Sequence, residues 1–470
     1  MNRCYQLVPL LFLILWCRTW APSAIADERP LNVLFIAIDD LNTRLNCYGH
    51  DHIHSPNIDR LAARGMRFDR AYCQYPSCGP SRASVLTGLR PERTGVLHNR
   101  IRLRDKVPNA VTLPQRFRAH GYHVVRIGKI YHQAVPTHIG TSGPDDPLSW
   151  DQVINPRGRD KDEEHLLTDY TPFLPLPDRM CYLAADGSDA EQTDGKVADA
   201  AIDMLKQNRD RPFFIAAGFY RPHIPYIAPK RYFKQYDIAS TRLPKIPAGY
   251  QESVPAAALA CTPVWPNFGT TERQARECIL AYDACVSFVD AQVGRLLDAL
   301  DRFNLTQRTL VVLWGDHGYH LGEHGLWRKN SLFEESARAP LIIAMPGMNP
   351  ISHDCERIVE FVDIYPTIMD LAKLPIPQGL DGVSLKPLLK HPATAWNRPA
   401  YTQVQFGKDD IPGRAVRTDR WRYVEWNHGR AGRELYDQQT DPHEQSNLID
   451  DPKHAGTAAT LSRLLKKGFE

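Results

Sequence analysis

The chain has 470 residues, with 57 Lys and Arg against 54 Asp and Glu and a formal net charge of +3. Without a leader that carries Arg3 and Arg18 it is close to neutral, so no global field draws it to nucleic acid or to a polyanion, and any recognition of a charged polymer is local. The length supports one large α/β unit and a smaller one, and the sequence shows no internal repeats, charge blocks or low-complexity stretches.

Residues 1–26 read as an export signal. Arg3 supplies a positive start, Leu7 to Cys17 an apolar stretch too short to span a bilayer, and Ala24-Ile25-Ala26 the small-x-small cleavage pattern. The expected location is outside the cytoplasm: periplasmic or secreted in a bacterium, lysosomal or secreted in an animal, with no membrane span. Eight of the 10 cysteines then stay in the mature chain. Cys278 and Cys285 are seven residues apart in a periodic helix, which separates their Cα atoms by about 10 Å, beyond the roughly 7 Å that a disulfide bridges. They read as small buried hydrophobes.

Asn32 to Asp39 is an apolar run of strand length that ends in the carboxylates Asp39 and Asp40. A run of this kind is a buried parallel strand, and polar residues just past its carboxyl end sit where ligands bind in open α/β sheets. A helix is predicted over 56–64 with Ser55 as its cap. A second, short helix opens at Ser77-Cys78-Gly79-Pro80-Ser81-Arg82 and closes at Leu86-Thr87-Gly88. Pro80 suits its first turn and Gly88 its end. Cys78 therefore lies at a helix N-terminus, where free N–H groups favour an anion, and Arg82 lies one turn on along the same face.

Gly121 to Gly128 reads as a strand leading into Lys129 and His132, and Pro212 to Phe219 as another leading into Arg221-Pro222-His223-Ile224-Pro225. Between them, residues 133–190 are rich in Pro, Asp and Gly without periodicity. So long an irregular stretch usually covers or shapes a site. The helix 277–302 is strongly amphipathic and delivers the strand 309–314, which ends in Gly315-Asp316-His317-Gly318. Pro340 to Met345 is one more strand. Past about residue 390 short antiparallel strands and a closing helix over 458–467 replace this alternation. The reading is a doubly wound α/β catalytic domain over 27–390 and a smaller α+β subdomain over 391–470.

Asp39, Asp40, Asp316 and His317 each follow a predicted parallel strand and converge on a shared metal in this reading. Three carboxylates suit a hard cation, Ca²⁺ or Mg²⁺, and the imidazole tolerates Mn²⁺ or Zn²⁺ as well.

The Cys78-to-Arg82 motif with its Leu-Thr-Gly extension resembles the signature of the formylglycine-dependent (type I) sulfatases. Gly121 to His132 resembles that family's second signature, with Val124 where Ser or Thr is commoner. Asn46-Cys47-Tyr48-Gly49, Ser55 to Asp59, Arg221 to Pro225 and Asp316-His317-Gly318 through Lys329 resemble its iduronate-2-sulfatase branch. Asp145 to Trp150 looks like that branch's Asp-Asp…Ser-Trp loop, one residue shorter. The resemblance implies an alkaline-phosphatase-like mixed sheet. It also implies conversion of Cys78 to formylglycine (3-oxoalanine) by a formylglycine-generating enzyme, and a divalent ion, Ca²⁺ above all, on Asp39, Asp40, Asp316, His317 and residue 78.

In the family's chemistry the hydrated aldehyde attacks sulfur, and Lys129, His223 and Lys329 offset the charge on the sulfate oxygens. His223 or Lys329 then protonates the leaving oxygen. His132 takes the proton that expels sulfate and restores the aldehyde. Arg82 completes the catalytic set. The implied substrate is a sulfated oligo- or polysaccharide, the 2-O-sulfate of a terminal iduronate foremost, with glucuronate, algal uronate and fucose sulfates left open. Asp146 and Arg328 are candidate substrate contacts, Arg328 for the sugar carboxylate. Two rivals stand beside this reading: a formylglycine phosphonate or phosphodiester hydrolase, and a glycan-binding protein in which Cys78 is never converted.

Overall fold

A computed structural model of the chain describes Met1 and residues 29–348, 353–406 and 410–470. The export signal expected over 1–26 therefore lies, apart from Met1, outside the described residues.

Eight strands form the main sheet: β1 (Asn32–Ile38), β2 (Met66–Tyr72), β3 (His123–Gly128), β4 (Gln152–Ile154), β5 (Phe213–Phe219), β6 (Thr309–Gly315), β7 (Leu341–Ala344) and β8 (Asp354–Glu360). Their spatial order is β8-β2-β7-β6-β1-β5-β3-β4, and β7 alone of these eight runs antiparallel to both neighbours. β1 lies at the centre with every residue buried. The two-residue period of a strand sends its side chains into two cores. Leu34, Ile36 and Ile38 join one cluster with Val293 and Leu297, whereas Val33, Phe35 and Ala37 join the other with Val85, Leu86 and Ile368. Truncating one such residue, as in Ile36→Ala, costs about 2–5 kcal/mol.

Helices α1 (Pro56–Ala63), α2 (Cys78–Thr87), α3 (Thr193–Gln207), α4 (Glu272–Arg302) and α5 (Ile364–Leu371) cover the two faces. α4 starts five residues before the sequence expectation, because Thr271 and Gln274 form a reciprocal capping box. Strands β2 and β8 and helix α3 were not expected from sequence. The 133–190 segment is, as read, irregular: it holds short strands and single turns, among them Gln152–Ile154 and Cys181–Ala185.

A second sheet is antiparallel in the order β9 (Ala400–Phe406), β10 (Ile411–Arg417), β11 (Trp421–Trp426), β12 (Arg433–Asp437). On one face Val416, Tyr423 and Leu435 meet Leu461 and Leu465 of α6 (Ala455–Gly468). On the other, Val404, Val424 and Trp426 pack with Tyr75, Leu326 and Phe333 of the larger unit. This sheet thereby becomes part of the frame around the site. The eight described cysteines are free thiols, and Cys4 and Cys17 lie outside the described residues. Among the described residues no helix is long and apolar enough to cross a membrane.

Candidate active site

The carboxyl ends of β6, β1, β5 and β3 stand side by side. Register sets the first contact: Ile38 pairs with Gly315, so Asp39 and Asp40 leave the sheet beside Asp316 and His317. Asp40 takes a left-handed backbone (φ 61°), a conformation that costs a non-glycine residue about 1 kcal/mol or more. Its surroundings hold it there. The Asp40 amide donates to Asp316 Oδ1 at 3.0 Å, and the buried Tyr282 hydroxyl donates to the Asp40 carbonyl at 2.8 Å.

Cys78, the first residue of α2, is fully buried against this cluster. Its thiol reaches His317 Nε2 at 3.3 Å and Asp40 Oδ1 at 3.8 Å. Asn99 Oδ1 accepts from the Gly79 N–H at 2.7 Å, and a Cβ added at Gly79 would lie 3.0 Å from that same oxygen, so a side chain there would press on Asn99. Burial and the Asp39 carboxylate push the thiol well above its ordinary range, so the unmodified cysteine is a poor nucleophile.

Arg82 sits one turn along α2 without solvent exposure. Its guanidinium donates to Asp316 Oδ2 (2.8 Å), Asp39 Oδ1 (3.1 Å), and the carbonyls of Lys129 (2.6 Å) and Ile130 (3.1 Å). It does not line the cavity described below. The sequence placed it in the catalytic set; the structure makes it a positioning residue that ties α2, β1, β3 and β6 together.

Two lysines enter from opposite sides. Lys129 pairs with Asp39, and Lys329 Nζ donates to both oxygens of Asp40 at 2.7 Å. Gly218 makes the first approach feasible, since a Cβ there would lie 2.0 Å from the Lys129 carbonyl. His223 sits on the turn after β5, with Nε2 3.7 Å from Asp40 Oδ2 and Nδ1 2.6 Å from the Ile224 carbonyl. That turn is pinned by the buried Asp194, which accepts from the amides of Tyr220 and Arg221 at 2.9 Å each. His132 offers an Nδ1 with no partner among the described residues. Burial, then the Lys129 charge, holds His132 neutral; burial, then the Lys329 charge, does the same for His223.

The donor set fits a hard cation. His317 is held below its ordinary pKa by burial, and its Nδ1 faces the Gly318 carbonyl at 2.8 Å, so Nδ1 carries the proton and Nε2 presents a lone pair. That lone pair faces Asp40 Oδ1 at 3.3 Å and Asp316 Oδ1 at 3.6 Å. Acceptor against acceptor is repulsive unless a cation lies between them. Ligand atoms of Asp40, Cys78, Asp316 and His317 fall within 4.8 Å of one another, as do those of Asp39, Asp40, Cys78 and His223. Burial also lifts the Asp39 carboxyl to about 7, a cost that a divalent ion would remove.

Above the cluster opens a cavity of about 940 Å³, lined by Asp40, His132, His223, Lys329, Tyr319 and Arg328 on its inner side. Two expectations need correction here. Asp146 does not line it. Its carboxylate accepts from Arg104 at 2.6 and 3.0 Å and from Ser149 at 2.6 Å, which leaves little for a substrate. Arg328 does line it, but its guanidinium pairs with Asp178 and donates to the Cys261 carbonyl at 3.1 Å, so its charge is already matched. From the 133–190 segment, Ala134, Val135, Leu174 and Asp178 reach the cavity; much of the remaining wall comes from 95–101 and Lys106. Asn99 and Asp194 were missed in the sequence, where no motif marks either.

Residues 31–374 match the family model described as Sulfatase, and residues 322–469 match that of the N-sulphoglucosamine sulphohydrolase C-terminal region. The chain belongs to the sulfatase family. This sulfatase is 33% identical to a sulfatase of Formosa agariphila over 97% of its own length and 90% of that protein. It is 30% identical to the Homo sapiens iduronate 2-sulfatase, covering 90% of this chain and 91% of that one. In fold it is similar to the phosphonate monoester hydrolase of Agrobacterium radiobacter, with a TM-score of 0.78, 24% identity and coverage of 94% and 95% of the two chains. The sulfatase is a sulfuric ester hydrolase, built on the mixed α/β sheet expected from its sequence.

Proposed function

We propose that this sulfatase removes the 2-O-sulfate from a terminal uronate, iduronate foremost, of a sulfated saccharide outside the cytoplasm, with Cys78 converted to formylglycine and one divalent ion, Ca²⁺ first, beside it. The observation that carries the reading is the convergence of three carboxylates, a lone-pair-bearing imidazole and two lysines on residue 78, buried directly behind a cavity that Asp40, His132, His223 and Lys329 line.

Asp39, Asp40, Asp316 and His317 would hold the ion, which would supply charge stabilisation to the transferring sulfate and favour the ionised form of the attacking hydroxyl. Formylglycine would supply a geminal diol, one hydroxyl to attack sulfur and the other to release it.

The protein's own residues do the rest. Lys329 and Lys129, paired with Asp40 and Asp39, would offer N–H donors to the sulfate oxygens; each preorganised charge of this kind is worth roughly 3–4 kcal/mol in the transition state. His223 is neutral because burial and the Lys329 and Lys129 charges oppose its proton. A bound sulfate reverses that field, so the imidazole gains a proton together with the substrate and can pass it to the leaving sugar oxygen. His132, neutral and with Nδ1 unpartnered, is the base for the second hydroxyl.

Parallel assays on 4-methylumbelliferyl sulfate, 2-O-sulfated uronates and phenyl phosphonate test the reading. Sulfate release with uronates preferred is expected. A preference for the phosphonate ester would transfer the chain to the phosphonate-hydrolase reading.

A further inference from the structure

The segment between the nucleophile helix and Lys106 is tied down at two points. Asn99 Oδ1 accepts from the Gly79 amide at 2.7 Å and from the Ser77 hydroxyl at 3.1 Å, which locks its backbone to the start of α2. Five residues on, Arg104 grips Asp146 through both oxygens, and Asp146 is itself held by Ser149 and by the Tyr131 hydroxyl at 3.3 Å. Between and just after these anchors, Arg100 and Lys106 line the cavity with exposed side chains.

Their charges differ from the others in that lining. Lys329 is matched by Asp40 and Arg328 by Asp178. Neither the Arg100 nor the Lys106 side chain makes a hydrogen bond or ion pair to a described residue. Among the described residues the lining's remaining charged group is the carboxylate of Asp410, in the turn just before β10, so the described part of the outer wall carries more positive than negative charge. The cavity's 940 Å³ lies near the top of the roughly 300–1,000 Å³ typical of pockets for drug-sized ligands, and one sugar ring does not fill it.

We propose that the anchored 99–106 segment is the selecting wall of the cavity, and that Arg100 and Lys106 bind a second anionic group, sulfate or carboxylate, on a saccharide longer than one ring. Arg100 offers a planar fork suited to two oxygens of one anion, and Lys106 a point charge. In this arrangement Asp146 serves recognition indirectly, by holding Arg104 and so the wall. The inference rests on the sulfatase reading of the site, and adds to it that the substrate carries two anions at a spacing set by the wall and residue 78.

The test uses the full chain with Arg100→Ala and Lys106→Ala combined. Substrates are 4-methylumbelliferyl sulfate and two disaccharides with a non-reducing 2-O-sulfated uronate, one with a further sulfate on the second ring and one without. The expected result is a KM for the doubly sulfated disaccharide raised at least tenfold more than that for the aryl sulfate, with kcat within threefold of wild type on each. If the rise disappears on the singly sulfated disaccharide, the wall reads the second ring's sulfate; if it persists there undiminished, the wall reads the terminal uronate's own carboxylate and the second-ring reading is overturned. A KM shift of equal size on all three substrates, or none on either disaccharide, overturns the proposal. Affinities of the same disaccharides measured by calorimetry in a Cys78→Ala background, with and without the two wall substitutions, give a readout independent of turnover. Failure of the wild type to release sulfate from any ester would refute the hydrolase reading alone, while a tenfold loss of affinity there would still support the wall and an unchanged affinity would overturn it.

Discussion

Arg82 gives the sharpest test of how the site is held together. Its guanidinium has no solvent exposure and donates four hydrogen bonds, two of them to the carboxylates of Asp39 and Asp316. Arg82→Ala leaves both carboxylates buried beside a missing cation, a perturbation that costs about 3–5 kcal/mol when a buried pair is broken from one side. The orphaned Lys129 and Ile130 carbonyls add about 1–3 kcal/mol each. The sum is of the same order as the about 5–15 kcal/mol that holds a domain together, so Arg82→Ala is expected to be insoluble or unfolded at ambient temperature.

Arg82→Lys separates stability from function. It keeps the charge but cannot reach four acceptors on three strands, and should fold with a loss of about 2–4 kcal/mol in urea titration. Because Arg82 does not line the cavity, its loss should reduce kcat on 4-methylumbelliferyl sulfate at least a hundredfold with KM within threefold of wild type. An Arg82→Lys enzyme with wild-type kcat and stability would refute the positioning role. A large rise in KM alone would mean that Arg82 touches the substrate.

Cys78→Ala should lose several orders of magnitude in rate, and intact-mass analysis of active enzyme should show a deficit of about 18 Da at residue 78, the thiol-to-aldehyde difference. Chelation should abolish turnover and Ca²⁺ should restore it; restoration by Zn²⁺ or Mn²⁺ alone would count against the hard-cation site. Lys329→Ala should fail on every sulfate ester, and a loss confined to uronate sulfates would move Lys329 from the sulfate to the sugar. Asp194 is lifted to about 7 by burial against an unfolded value of 3.8, so the folded state binds its proton more tightly. Its contribution is full at acid pH and is lost as pH rises from about 4 to 7, by at most about 4 kcal/mol. Asp194→Asn should flatten that decline in a pH series of urea midpoints, and an unchanged slope would refute it.

The legible parts of the sequence are those in which chemistry and burial coincide. β1 and β6 are buried on both faces, so their apolar runs stop sharply at Asp39 and Asp316. Met66–Tyr72 escapes the same criterion because Arg67, Asp69 and Arg70 are only half-buried near the sheet's edge, where β8 with its own Asp354 and Glu356 is the last strand. The charge pairing is the illegible part. Arg328 and Lys329 are neighbours in sequence, yet the first is matched by Asp178 and the second by Asp40, 150 and 289 positions away. Nothing local distinguishes them, and the same holds for Asp146 and Asp145, which serve Arg104 and Arg126 respectively.

The order of strands explains why so much chemistry gathers in one place. β6, β1, β5 and β3 are consecutive in the sheet and parallel, so all four end at the same edge. Across that edge they deliver Asp316 and His317, then Asp39 and Asp40, then His223, then Lys129 and His132. The sign of charge therefore changes from an acidic half over β6 and β1 to a basic half over β5 and β3, with Lys329 returning to the acidic side on the loop after β6. Cys78 stands over the acidic half, within reach of Asp40 and His317. A cation belongs with that half and an anionic ester with the other, and the bond to be broken lies between them. In a parallel sheet this division needs no long-range design beyond the polar residues that follow four neighbouring strands. Arg82, buried beneath the acidic half, is a cation whose place a metal ion cannot take, because its partners include backbone carbonyls that accept from its N–H groups.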